Sequence, residues 1–125
     1  MFIGIGIDLV DVERFRRHLE RTPELLDRIF HEAERSGPAG ALPWYRLAET
    51  FAIKEAAAKA LGVPAGIDWR DCVVSRSAAG APQISLRGPG AAAATHLGVT
   101  RWHLSFARVS GVAIGYALAE RIPVA

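Results

Sequence analysis

Apolar and polar positions alternate along this chain in a way that assigns most of its elements. Phe2, Ile3, Ile5 and Ile7 make an apolar run that ends in Asp8. This predicts a buried strand over residues 2–7, with Gly4 and Gly6 marking a close backbone approach. Val12, Phe15 and Leu19 then recur at helical spacing and predict an amphipathic helix from Val12 to Arg21, with Asp8 or Asp11 as its cap. Thr22-Pro23-Glu24 opens a short helix through Ile29, His31 to Arg35 adds a further turn, and Ser36 to Gly40 is loop. A long helix follows from Leu42 to Leu61, stopped by Gly62 and Pro64. Strands at Cys72–Ser75 and Gln83–Leu86 flank a hairpin-like turn from Arg76 to Pro82. An Ala-rich helix over 90–97 and strands at Arg101–Phe106 and Val112–Ala119 complete the order, which is an α+β arrangement.

Composition narrows the class. The 125 residues are half hydrophobic and 22% charged, as expected for one globular domain spanning residues 1–125. The only cysteine, Cys72, excludes an intrachain disulfide framework and suits a reducing compartment. No apolar run approaches the ~20 residues of a membrane span, and the N-terminus lacks the order of a secretory signal. A soluble, cytoplasmic protein with no membrane partner is expected. Fifteen Lys and Arg against thirteen Asp and Glu leave a net charge of only +2. Yet Arg14, Arg16, Arg17 and Arg21 crowd the first helix, either as a solvated face or as a dock for an acidic partner. Nucleic acid is the weaker choice of partner, because no recognition motif accompanies these arginines.

Candidate chemistry centres on FAIKEAAAKALG, Phe51 to Gly62. Glu55 and Lys59 lie four apart, acid before base, which by itself reads as a solvated ion pair on a surface helix. The opening glycines do not complete GxGxxG, so no dinucleotide fingerprint is present.

Taken together, IGIGIDLVDVERF, RIFHEAE, FAIKEAAAKALG and WHLSF resemble the holo-acyl-carrier-protein synthases, the small 4′-phosphopantetheinyl transferases. The resemblance implies an antiparallel sheet wrapped around a long helix, in a homotrimer with its sites between subunits. It implies transfer of the phosphopantetheine arm of coenzyme A to a serine of an acyl carrier protein of fatty-acid (lipid) or polyketide biosynthesis. Asp8 and Glu55 would hold Mg²⁺, which suits hard carboxylate oxygens beside a pyrophosphate. Glu55, Lys59 and His103 would be catalytic. Lys54, Lys59, Gly80, Pro82, Ser105 and Arg108 would meet coenzyme A. Arg14 and Arg21, with Arg17 on the same side of the helix, would dock the carrier protein. Three positions depart from the family pattern: Thr50 stands for an arginine, Ala81 for a basic residue and Ala107-Arg108 for Ser/Thr-His. Arg108 returns a cation, whereas Thr50 and Ala81 have no substitute in the sequence. Two activities therefore remain open, the transfer itself and carrier-protein binding with the transfer lost or changed.

Overall fold

A computed structural model describes residues 1–124. Strand β1 (Phe2–Asp11) runs into α1 (Val12–Arg21), α2 (Glu24–Ile29) and a single 3₁₀ turn (Glu32–Glu34). The short strands β2 (Ser36–Gly37) and β3 (Gly40–Ala41) lead to the long helix α3 (Trp44–Ala60). After a second 3₁₀ turn (Trp69–Asp71) come β4 (Cys72–Arg76), β5 (Pro82–Leu86), α4 (Gly88–Leu97), β6 (Arg101–Val109) and β7 (Val112–Glu120). The main sheet has the order β1-β7-β6 and is antiparallel throughout, while β4 and β5 form a separate hairpin.

The sheet lies on α3, and the fit is made by small residues. Gly4 and Gly6 of β1 and Gly115 of β7 face Ala60, Ala56 and Ala52 of the helix. A Cβ on Gly6 would sit 1.8 Å from the Ala56 carbonyl oxygen, and one on Gly115 would sit 2.3 Å from the Ala52 carbonyl carbon. Backbone thus rests on backbone, and Ala113, Ala117 and Ala119 of β7 are sealed beneath the helix. The helix is therefore central and buried under the sheet, the arrangement that the family resemblance implies, and not the surface helix that the Glu55–Lys59 spacing alone suggests. Its N-terminal half packs into an aromatic core containing Phe15, Phe30, Trp44 and Phe51. Its C-terminal half meets small side chains flanked by Ile84, Trp102 and Leu104.

Alternation assigns the other face of the sheet. Ile5, Ile7 and Leu9 point away from α3 and pair across β7 with Leu118, Tyr116 and Ile114. These three β1 side chains are 63%, 57% and 66% exposed, a continuous apolar strip on one chain.

Other expectations shift at their edges. β1 continues to Asp11, so Asp8 stays inside the strand and Asp11 caps α1 by accepting from the Arg14 N–H at 2.9 Å. The Ser36–Gly40 loop contains the β2–β3 hairpin, closed at Gly40 with its positive φ of 106°. Among the described residues, no helix is long and apolar enough to cross a membrane.

Candidate active site

Asp8 belongs to the inner row of β1, two residues beyond Gly6. Because that glycine lets the strand touch α3, the short Asp8 side chain reaches the helix. Lys59 Nζ donates to Asp8 Oδ1 at 2.8 Å and to the Ile7 carbonyl at 3.1 Å. Glu55, one turn earlier on α3, does not pair with Lys59. Its Oε1 accepts from the Trp69 indole N–H at 2.6 Å. The expected i,i+4 pair is absent because each partner has a better one brought by tertiary packing.

Asp8 and Glu55 line one open cleft of about 560 Å³, together with Asp11, Arg14, His18 and Phe51. Glu55 also borders a second cleft of about 380 Å³ walled by Ala58, Val63, Ile67 and Trp69. Among the described residues, no group of three or more His, Cys, Asp or Glu side chains forms a closed metal cage. Two hard carboxylates on an open cleft fit a divalent cation that keeps waters and takes phosphate oxygens, as Mg²⁺ does. They do not fit tetrahedral zinc.

Lys54 requires a correction. Expected near phosphate, it is 1% exposed, and its Nζ donates to Glu34 Oε1 at 2.7 Å and to the Cys72 carbonyl at 2.6 Å. Glu34 also accepts from the backbone N–H groups of His31 and Val74, each at 2.8 Å. Burial pulls the Lys54 ammonium below its ordinary range, partly opposed by Glu34. The ammonium is a structural pin between α3, the first 3₁₀ turn and β4. Lys54 directly precedes Glu55 in sequence, but adjacent residues on a helix point about 100° apart, and here the Lys54 ammonium turns to Glu34 and the Cys72 carbonyl while the Glu55 carboxylate turns to Trp69.

A cluster of arginines has formed around the departures. Arg108 lies 3.8 Å from the Tyr45 ring centroid and Arg76 4.1 Å from that of Phe106, with Arg46 6.0 Å from both rings. The only carboxylate paired with them among the described residues is Glu49, 3.8 Å from Arg46 and 3.6 Å from Arg76. Both separations exceed hydrogen-bond length, and both Nη atoms of Arg76 are buried with no hydrogen-bond partner among the described residues. Burial and the nearby Arg46 charge lower the Arg76 pKa. Arg46, Thr50 and Arg76 line a common cleft of about 390 Å³, so cations surround the position where the family has its arginine. Gly80 and Pro82 close the adjoining β4–β5 turn, where Pro82 pairs with Arg76.

His103 and Ser105 lie on the opposite face of the sheet, in register with Leu118 and Tyr116. His103 Nε2 is 3.0 Å from Glu120 Oε1, and this contact holds the Glu120 carboxyl below the usual carboxylate range. One chain therefore brings Asp8, Glu55 and Lys59 together but turns His103 and Ser105 away from them.

On α1, Arg16 is held by Glu13 and Glu20. Arg14, Arg17 and Arg21 form no ion pair among the described residues and line an open depression with His18. Arg14 also lines the cleft of Asp8 and Glu55, so the basic surface runs directly into the acidic one.

Sequence reasoning missed Trp69, Arg46 and Arg76. Arg46 stands four residues before Thr50 on α3, a spacing that signals a shared face. Trp69 and Arg76 are joined to the site only by tertiary packing.

The sequence pattern of the 4′-phosphopantetheinyl transferase superfamily matches residues 4–117. The holo-[acyl-carrier-protein] synthase of Renibacterium salmoninarum is 52% identical over 120 residues, covering 96% of this chain and 99% of that one. The crystal structure of holo-[acyl-carrier-protein] synthase from Neisseria meningitidis superposes with a TM-score of 0.84 at 28% identity, covering 97% of this chain and 100% of that one. The Helicobacter pylori synthase, solved in complex with coenzyme A, gives a TM-score of 0.78 at 26% identity, over 93% of this chain and 99% of that one. Sequence pattern, close relatives and fold agree over nearly the whole length, and the chain belongs to the 4′-phosphopantetheinyl transferase superfamily.

Proposed function

We propose that this protein is a holo-acyl-carrier-protein synthase, moving the 4′-phosphopantetheine group of coenzyme A onto a serine of an acyl carrier protein. The serine oxygen forms a bond to the pantetheine-bearing phosphorus, and the bond from that phosphorus to the nucleotide phosphate breaks. The serine proton passes to a site carboxylate or to a water held by one, and adenosine 3′,5′-bisphosphate leaves. One observation carries this reading: Asp8, Glu55 and the docking residue Arg14 share a single cleft. A serine on an acidic partner seated against Arg14, Arg17 and Arg21 is thereby delivered beside the two carboxylates.

Asp8 and Glu55 are the residues that would hold Mg²⁺, which when bound offsets the negative charge of the pyrophosphate. Lys59 steadies Asp8 and brings a positive charge to the same place. For coenzyme A, the family resemblance points to Gly80, Pro82, Ser105 and Arg108, while the Lys54 ammonium is already engaged by Glu34 and the Cys72 carbonyl. Arg46 and Arg76, which share the cleft of Thr50, supply cations suited to phosphate there, and Arg108 adds a third over the ring of Tyr45, next to Arg46 in sequence. The exposed Ile5–Ile7–Leu9 strip supports a homotrimer, and the outward His103 and Ser105 suit sites completed by a neighbouring subunit. A cytoplasmic carrier protein of fatty-acid or polyketide synthesis is the partner class.

The deciding experiment incubates the protein with coenzyme A, Mg²⁺ and an apo carrier protein and weighs the carrier protein. A phosphopantetheine mass gain is expected. Glu55→Gln should slow it by roughly three orders of magnitude, since several kcal/mol of charge stabilisation go with that ligand, while melting stays near wild type. An unchanged carrier-protein mass with the wild type would instead leave a carrier-protein-binding relative without the transfer.

A further inference from the structure

We propose that Trp69 is a positioning residue that holds Glu55 ready for the divalent cation, an inference resting on the assignment of Glu55 as a ligand. The two cleft carboxylates are secured in different ways. Asp8 is held by a cation, Lys59. Glu55 is held by a neutral donor, the Trp69 indole N–H, which is its sole hydrogen-bond partner among the described residues. An indole N–H donates and never accepts, so it engages one lone pair of Oε1 and leaves Oε2 free. Being uncharged, it fixes the carboxylate without neutralising it.

The donor stands on a built support. Trp69 opens the 3₁₀ turn, where Asp68 accepts from the Arg70 N–H at 2.9 Å and Asp71 accepts from the Asp68 N–H at 3.0 Å. The Arg87 N–H anchors that turn through the Asp71 carbonyl at 2.8 Å. The indole packs on Phe51 with centroids 5.9 Å apart, and Phe51 stacks on Phe15 of α1 at 5.3 Å. Although Trp69 is 43% exposed, its polar atom is thus aimed and braced. A flexible glutamate loses rotamer freedom on meeting a cation, and a preset one has lost it already. Partners that orient metal ligands are worth roughly 10–100-fold in metal affinity.

Trp69→Phe removes the N–H and keeps an aromatic ring against Phe51. Mn²⁺ affinity, read by loss of the free-ion electron paramagnetic resonance signal, is expected to fall roughly tenfold in the variant. The Mg²⁺ concentration for half-maximal transfer should rise in step, with kcat at saturating Mg²⁺ changed far less. Glu55→Gln, titrated alongside, should abolish the Mn²⁺ site. Equal Mn²⁺ affinity in wild type and Trp69→Phe, with Glu55→Gln still defective, overturns the positioning role and leaves the metal assignment standing. A lower melting temperature with unchanged Mn²⁺ affinity also overturns it, because that marks a packing role alone. Failure of the wild type to bind Mn²⁺, or binding by Glu55→Gln as tight as wild type, removes the metal assignment and the inference with it.

Discussion

Cys72 is 1% exposed, and burial pushes its thiol up to about 11 from an ordinary value of 9.0, although the neighbouring Lys54 charge pulls the other way. In the unfolded chain the thiol ionises first. Between those two values the unfolded state has lost a proton that the folded state keeps, so stability falls as pH rises. Below the unfolded value both states are protonated and the effect vanishes. Across the window this one group should remove on the order of 2–3 kcal/mol. Urea unfolding of the wild type and Cys72→Ala at steps through the window checks it. The variant's stability should decline less steeply, whatever its offset from lost packing. Neighbouring lysines show what a sequence leaves out at this scale. Lys54 and Lys59 look alike in composition and spacing, yet one is a sealed pin and the other is half exposed and paired with Asp8. The partner decides, and Glu34 and Asp8 are set by the fold.

At the scale of elements, the Lys54–Glu34 pair ties α3 to the segment before it and to β4, with both side chains fully buried. Lys54→Met should cost roughly 3–5 kcal/mol, because it strands the Glu34 carboxylate in the core. Adding Glu34→Gln should recover part of that loss, since a neutral amide needs no counter-charge, although its NH₂ cannot accept the backbone N–H that one Glu34 oxygen takes. Thermal unfolding of the two variants reads the difference; equal loss in both would mean that the charge is not what matters. Most elements were legible from pattern alone. The period of Val12, Phe15 and Leu19 defined α1 to the residue, and the apolar runs of β4 to β7 were correct to within a few positions. The burial of α3 was not legible in the same way. Alanine contrasts weakly with polar neighbours, and what covers Ala52, Ala56 and Ala60 is another backbone, which leaves no apolar stripe to read. Gly4 and Gly6 were the visible trace of that contact.

For the molecule as a whole, the outer face of the sheet is the feature that one chain does not satisfy. Ile5→Asp would place a charge in the apolar strip, where the proposed trimer contact would exclude water. It points away from α3, so the isolated fold should survive. Light scattering after size exclusion should find a trimer for the wild type and mainly monomer for Ile5→Asp. Transfer activity should fall with it, because His103 and Ser105 face the same side. A trimeric Ile5→Asp would locate the contact elsewhere. The arginine cluster was the part of the site least visible in sequence, because it depends on surfaces meeting that are distant along the chain.

The seam where β1 and β7 touch α3 also limits how this protein can vary. Most packed positions can trade volume with a neighbour, so a larger residue on one side is rescued by a smaller one opposite. Opposite Gly6 and Gly115 stand the backbone atoms of Ala56 and Ala52, and backbone has no smaller alternative. No second-site change at those contacts can make room for a Cβ. Each therefore admits one residue, and libraries that randomise them would return glycine or nothing. Mutational drift, natural or directed, is steered instead to the rims of the clefts. There Arg46, Trp69 and Arg76 sit, and new preferences for donor or partner can arise while the spacing between strand and helix stays fixed.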